Sequence, residues 1–146
     1  MRKYLAFSLI SFFILASGCV STYEFAANEP KAELESVGLG SVGIYKGNKF
    51  YQLPKSSNGK SYKVPAGNRI VLVDRINFSQ SSGYFRMSLS CSPSLTFIPE
   101  KDGSYLINSY LDDKSCYVEL VKSRSNSPTG LEREHSIRPV RRLKKG

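Results

Sequence analysis

Tryptophan is absent from this 146-residue chain, histidine occurs once and cysteine three times. A single His135 argues against a His-built metal centre and against a His-dependent triad, because each needs several fixed partners. Three cysteines are too few for a disulfide-dense mini-scaffold. No apolar run is long enough for a multi-span membrane protein, whose helices need about 20 such residues each. There is no Gly-x-Ser-x-Gly elbow, Walker phosphate loop or calcium loop. The hydrophobic fraction of 40% is nevertheless too high for a wholly disordered chain. Length alone fits one ordinary domain.

Charge is present but unevenly spread. Of the formal +9, residues 1–18 carry +2, residues 19–121 carry +1 and residues 122–146 carry +6. The body is close to neutral and the basic character belongs to the two ends. That distribution is poor support for a nucleic-acid-binding face, and no nucleic-acid partner is expected.

At the N-terminus, Arg2 and Lys3 precede the apolar stretch Leu5 to Ala16, which has signal-peptide length. Small residues and a cysteine follow: Ala16-Ser17-Gly18-Cys19. Here the sequence resembles bacterial lipoproteins, whose lipobox ends in a small residue and an obligatory Cys, although Ala16 stands where Leu is favoured. The resemblance implies cleavage after Gly18, with 1–18 as signal peptide, and acylation of Cys19 as the lipidation site. It also implies a cell-envelope location, outer-membrane sorting because Val20 rather than Asp follows the cysteine, and a membrane partner reached through the lipid. Stable anchoring takes at least two signals, and each acyl chain contributes about 0.8 kcal/mol per buried methylene. Residues 19–30 then read as lipidated N-terminus and polar tether, although Tyr23 and Phe25 are able to dock on the domain.

From 31 to 122 the chain alternates short β-rich runs with turn residues. Strands are expected at Ala32–Val37, Val42–Tyr45, Lys49–Leu53, Ser61–Val64, Arg69–Asn77, Tyr84–Cys91, Leu95–Ile98, Tyr105–Leu111 and Cys116–Lys122. The run at Ile70–Arg75 is apolar on both faces at its start, as in a central strand. Phe85, Met87, Leu89 and Cys91 share one face of their run. No amphipathic helix stands out. The expected fold is a small all-β antiparallel sandwich, immunoglobulin- or transthyretin-like.

Once the lipoprotein resemblance assigns Cys19 to lipid, Cys91 and Cys116 remain as an even pair in an oxidising compartment. A structural disulfide is the favoured reading, with free thiols or a redox couple as the alternatives. The absence of Cys-x-x-Cys spacing weighs against redox work. Residues Cys91 to Tyr105 read as strand, turn, strand and hairpin, with positive φ supplied at Asp102-Gly103 and Phe97 packing across the pair from Tyr105. Together with Val64-Pro65-Ala66-Gly67 and the second Cys, this stretch is similar to small bacterial lipoproteins with a sandwich-like domain. That likeness implies a fold and carries no activity.

Residues 123–146 hold Ser, Asn, Pro and Gly early and clustered cations late, and read as a disordered basic tail. It is either a solvated tail or a contact with an envelope protein or anionic envelope surface. Other candidates are bland. Asp112-Asp113 belongs to a turn, and Glu33 and Glu35 share one face of an expected edge strand. Gly38-Leu39-Gly40-Ser41-Val42-Gly43 has dinucleotide-loop spacing but opens a strand, not a helix. Tyr45, Phe50, Tyr51, Tyr62, Tyr84, Tyr110 and Tyr117 are either a recognition face or ordinary sheet packing, and the packing reading is preferred.

The functional expectation is a non-enzymatic, membrane-anchored envelope lipoprotein with a structural or partner-binding β domain, with no metal and no cofactor. The alternative is a small inhibitor or ligand-binding module of the envelope. An envelope hydrolase is the least supported reading.

Overall fold

The computed structural model describes residues 20–140, apart from 39, 58, 60, 113–114 and 125–128. Eleven strands are present: β1 Lys31–Ser36, β2 Ser41–Lys46, β3 Lys49–Gln52, β4 Ser61–Pro65, β5 Ile70–Ser82, β6 Phe85–Cys91, β7 Ser94–Phe97, β8 Ser104–Asp112, β9 Ser115–Ser123, β10 Leu131–Arg133 and β11 Arg138–Pro139. All nine expected strands form, and β5 lies centrally between β2 and β7. One sheet has the order β10-β9-β8-β1-β4; the other has β11-β7-β5-β2-β3, with β6 added to the far half of β5. All pairings between these strands are antiparallel except β1 with β8, where Glu33 lies opposite Ser104.

Period-two alternation builds the core. Ala32 and Leu34 of β1, Val42 and Ile44 of β2, Leu72 of β5, Phe97 of β7, Ile107 of β8 and Leu120 of β9 all point between the sheets and are buried. Phe97 and Tyr105 meet edge-to-face across the two layers, with ring centres 5.2 Å apart. Their contact is real, but the expected hairpin joining them is not. β7 pairs with β5 and β11, whereas β8 pairs with β1 and β9, so the chain crosses between sheets there. Positive φ falls on Asp102 rather than Gly103.

The structure departs from the expected domain limits at both ends. Residues 131–133 and 138–139, placed in a disordered tail by composition, add an edge strand to each sheet. Side chains hold them. Arg69 donates to the Ser136 carbonyl at 2.8 Å, the Ile98 amide donates to Ser136 Oγ at 2.9 Å, and Thr96 Oγ1 donates to the Arg138 carbonyl at 3.1 Å. A polar segment can finish a sheet edge because the ladder is made by backbone. At the other end, the expected tether is docked from Ser21 onward. β1 is also not an edge strand, since β4 and β8 flank it.

Candidate functional site

The docked N-terminal segment forms the first candidate region. Gln52 donates its amide to the Ser21 carbonyl at 3.0 Å, and the Tyr23 amide donates to the Gln52 carbonyl at 2.8 Å, so 21–23 runs parallel along the β3 edge. Tyr23 is only 6% exposed and belongs to the core cluster. Its ring meets Phe25 and Tyr51 edge-on at 5.0 and 6.0 Å. Its hydroxyl donates to Glu29 Oε1 at 2.7 Å, while Glu29 Oε2 accepts the Ala26 amide. Burial, and then the Glu29 carboxylate, push the Tyr23 phenol up to about 12. Three exposed lysines lie over these rings: Lys31 5.0 Å from the centre of Phe25, Lys46 5.6 Å from Tyr23 and Lys49 5.2 Å from Tyr51. Such contacts are worth about 0.5–1 kcal/mol each at exposed positions.

The opposite end of the strands carries the disulfide. Cys91 and Cys116 are bonded, with Cα atoms 6.3 Å apart, tying β6 to the facing sheet. Tyr110 and Tyr117, cross-strand partners on β8 and β9, stack at 5.6 Å and remain 38% and 46% exposed. Tyr84, in the β5–β6 turn, is fully exposed, and Leu89 and Leu111 are also exposed. Tyr62 is packed in the core and Tyr51 in part. Tyr45 with Phe50 and Tyr110 with Tyr117 pack as cross-strand pairs on the sheet surface while staying partly exposed, and Tyr84 alone of the seven aromatics is fully exposed. The strand of Leu89, β6, pairs with β5 alone among the described residues, and Leu89 is 47% exposed.

Between the sheets lies a polar group that alternation alone did not single out. Asp74 is fully buried, and among the described residues neither carboxylate oxygen has a hydrogen-bond partner of good geometry; the same holds for the buried hydroxyls of Ser36 and Ser109. Burial raises the Asp74 carboxyl above its ordinary range, with the nearby Ser109 hydroxyl opposing. A Cβ on Gly40 would fall 2.5 Å from Asp74 Oδ1 and 2.6 Å from the Arg75 carbonyl, so this position of the Gly-rich run serves close packing against Asp74. Sealed from solvent, the carboxyl has no access to a substrate. Its place within the otherwise apolar inward row Ile70, Leu72, Ile76 was the available signal.

The remaining candidates disperse. Cys19 and the signal peptide 1–18 lie outside the described residues, as do Asp113 and the last six residues. His135 is exposed, with Glu132 at 3.5 Å. Glu33 and Glu35 line an open groove with Ser104 and Leu131. Gly43 lies within β2, its missing side chain replaced by the Phe50 ring, so no helix follows the Gly-rich run. Among the described residues no three His, Cys, Asp or Glu side chains converge as metal ligands. The fold and these two ends define a disulfide-bonded β-sandwich. Comparison with family models, curated proteins and solved structures gives no match.

Proposed function

We propose that this chain is a non-enzymatic, lipid-anchored envelope lipoprotein whose sandwich presents a partner-binding surface, with the outer membrane facing the periplasm as its site. The Cys91–Cys116 bond is the observation that carries the reading. It uses two of three cysteines, belongs to an oxidising compartment, and leaves Cys19 at the end of its run of small residues as the remaining thiol. Lipid supplies the location. Recognition falls to the exposed tyrosines at the disulfide end, where rigid amphipathic rings offer contact area at low entropic cost.

Cys19→Ala tests the anchor. The variant is expected in the soluble fraction of lysed cells, while the parent sediments with membranes and carries acyl mass on Cys19. Unchanged fractionation of the variant would refute the proposal.

A further inference from the structure

We infer that the β3 edge of the sandwich, with Lys31, Lys46 and Lys49, lies directly against the anionic lipid headgroups of the membrane that holds the anchor. The inference rests on the lipoprotein reading above and adds an orientation to it.

Chain length is the first ground. The Ser21 carbonyl accepts the Gln52 amide, and Tyr23 behind it donates its amide to the Gln52 carbonyl and is locked in the core. Only Val20 separates Ser21 from Cys19. Two residues reach at most about 7 Å, so an acylated Cys19 leaves no free tether between the lipid and the sheet edge. The second ground is the chemistry of that edge. Lys49 of β3, Lys46 of β2 and Lys31 at the start of β1 in the other sheet lie over Tyr51, Tyr23 and Phe25, and exposed Tyr45 and Val20 accompany them. Aromatic rings at headgroup level with cations reaching into it form an interfacial composition. Glu24 and Glu29 are the acids of the docked segment, and Glu29 is engaged by Tyr23 and Ala26. Asp102, whose amide donates to the Lys31 carbonyl, and Glu33 are the acids beside Lys31, so Lys46 and Lys49 carry most of the unbalanced charge.

Topology then says which side faces away. β11, where Arg138 pairs with Thr96, is four strands from β3 in the same sheet, a separation of about 19 Å. The base of the basic C-terminal segment therefore leaves the sandwich on the side opposite the anchor.

The experiment uses the full acylated chain in vesicles of phosphatidylethanolamine and phosphatidylglycerol, with one spin label per protein. The label is carried by Asn48→Cys in the β2–β3 turn or by Arg133→Cys on β10. Relaxation by an aqueous nickel chelate is expected to fall at least about fivefold for the Asn48 label on moving from detergent to vesicles, and to stay unchanged for the Arg133 label. Two further variants separate the causes. A flexible Gly/Ser insert of about ten residues between Val20 and Ser21 should abolish the protection while leaving acylation intact. Lys31→Glu/Lys46→Glu/Lys49→Glu should reduce it to the value seen on phosphatidylcholine vesicles, because each cation near an anionic surface contributes about fivefold. Equal accessibility of the two labels on a protein that carries acyl mass overturns the orientation and leaves the anchor standing. Absence of acyl mass overturns both.

Discussion

Replacing both Cys91 and Cys116 by Ala removes the one covalent link between β6 and the facing sheet. The bond closes a loop of 25 residues, and loop-closure entropy for that length corresponds to about 3.5 kcal/mol at 25 °C. For a fold of roughly 120 residues with an unfolding entropy near 2.1 cal/mol/K per residue, that loss lowers Tm by about 14 °C. It should also be uneven. Among the described strands β6 pairs only with β5, and an isolated two-stranded hairpin is marginal in water. Urea unfolding followed by circular dichroism gives the global change, and amide hydrogen exchange gives its distribution. Protection is expected to collapse first in 76–91, whereas β1 and β4 exchange only at the global limit. A global loss below about 1 kcal/mol, or protection in 76–91 indistinguishable from that in β1, would refute the reasoning.

Two further perturbations probe the interior. Burial raises the Asp74 carboxyl in the folded state, so the neutral form is favoured. Its stabilising effect is complete below the unfolded carboxylate value near 4 and is lost as pH rises through the folded value. Asp74→Asn should flatten that decline and be more stable than the parent at pH 7 by about 1 kcal/mol or more, since an unpaired buried charge costs more than an unpaired amide. Urea midpoints across pH 4–8 measure this, and parallel profiles for the two proteins would contradict it. Gly43→Ala places a Cβ 2.2 Å from Phe50 Cζ and 2.5 Å from the Tyr51 carbonyl. It should cost about 1–3 kcal/mol in the same titration, with Phe50 displaced from its stack on Arg75, now 3.7 Å from the ring centre.

Where a segment buries one face, its alternation made it legible. Leu34 and Val42 belong to runs whose apolar residues point inward, and the strands containing them form as expected. The disulfide followed from counting cysteines once one was assigned to lipid. β10 and β11 were not legible, because Glu132, Arg133 and Arg138 carry no apolar period; backbone pairing and a few polar contacts place them. The direction of the chain after Phe97 was equally hidden. Asp102-Gly103 signals a turn but not whether the turn returns to the same sheet or crosses to the other. The β3-edge site combined a legible part, Tyr23 and Phe25 as docking residues, with a hidden one. Lys46 and Lys49 face each other across one hairpin, but only the folded chain brings Lys31 and the rings of Tyr23 and Phe25 to them.

The parallel ladder between β1 and β8 has a kinetic meaning. Glu33 meets Ser104 across roughly 70 residues of intervening chain, and β1 also needs β4 on its other flank. The first strand synthesised thus has to wait for a much later one, with its backbone donors on that side unpaired in the interval. Such high contact order slows folding and lengthens the time in which a nascent edge is able to capture a wrong neighbour. Holding β1 in reserve until β8 arrives is the step at which a folding helper would have most to do.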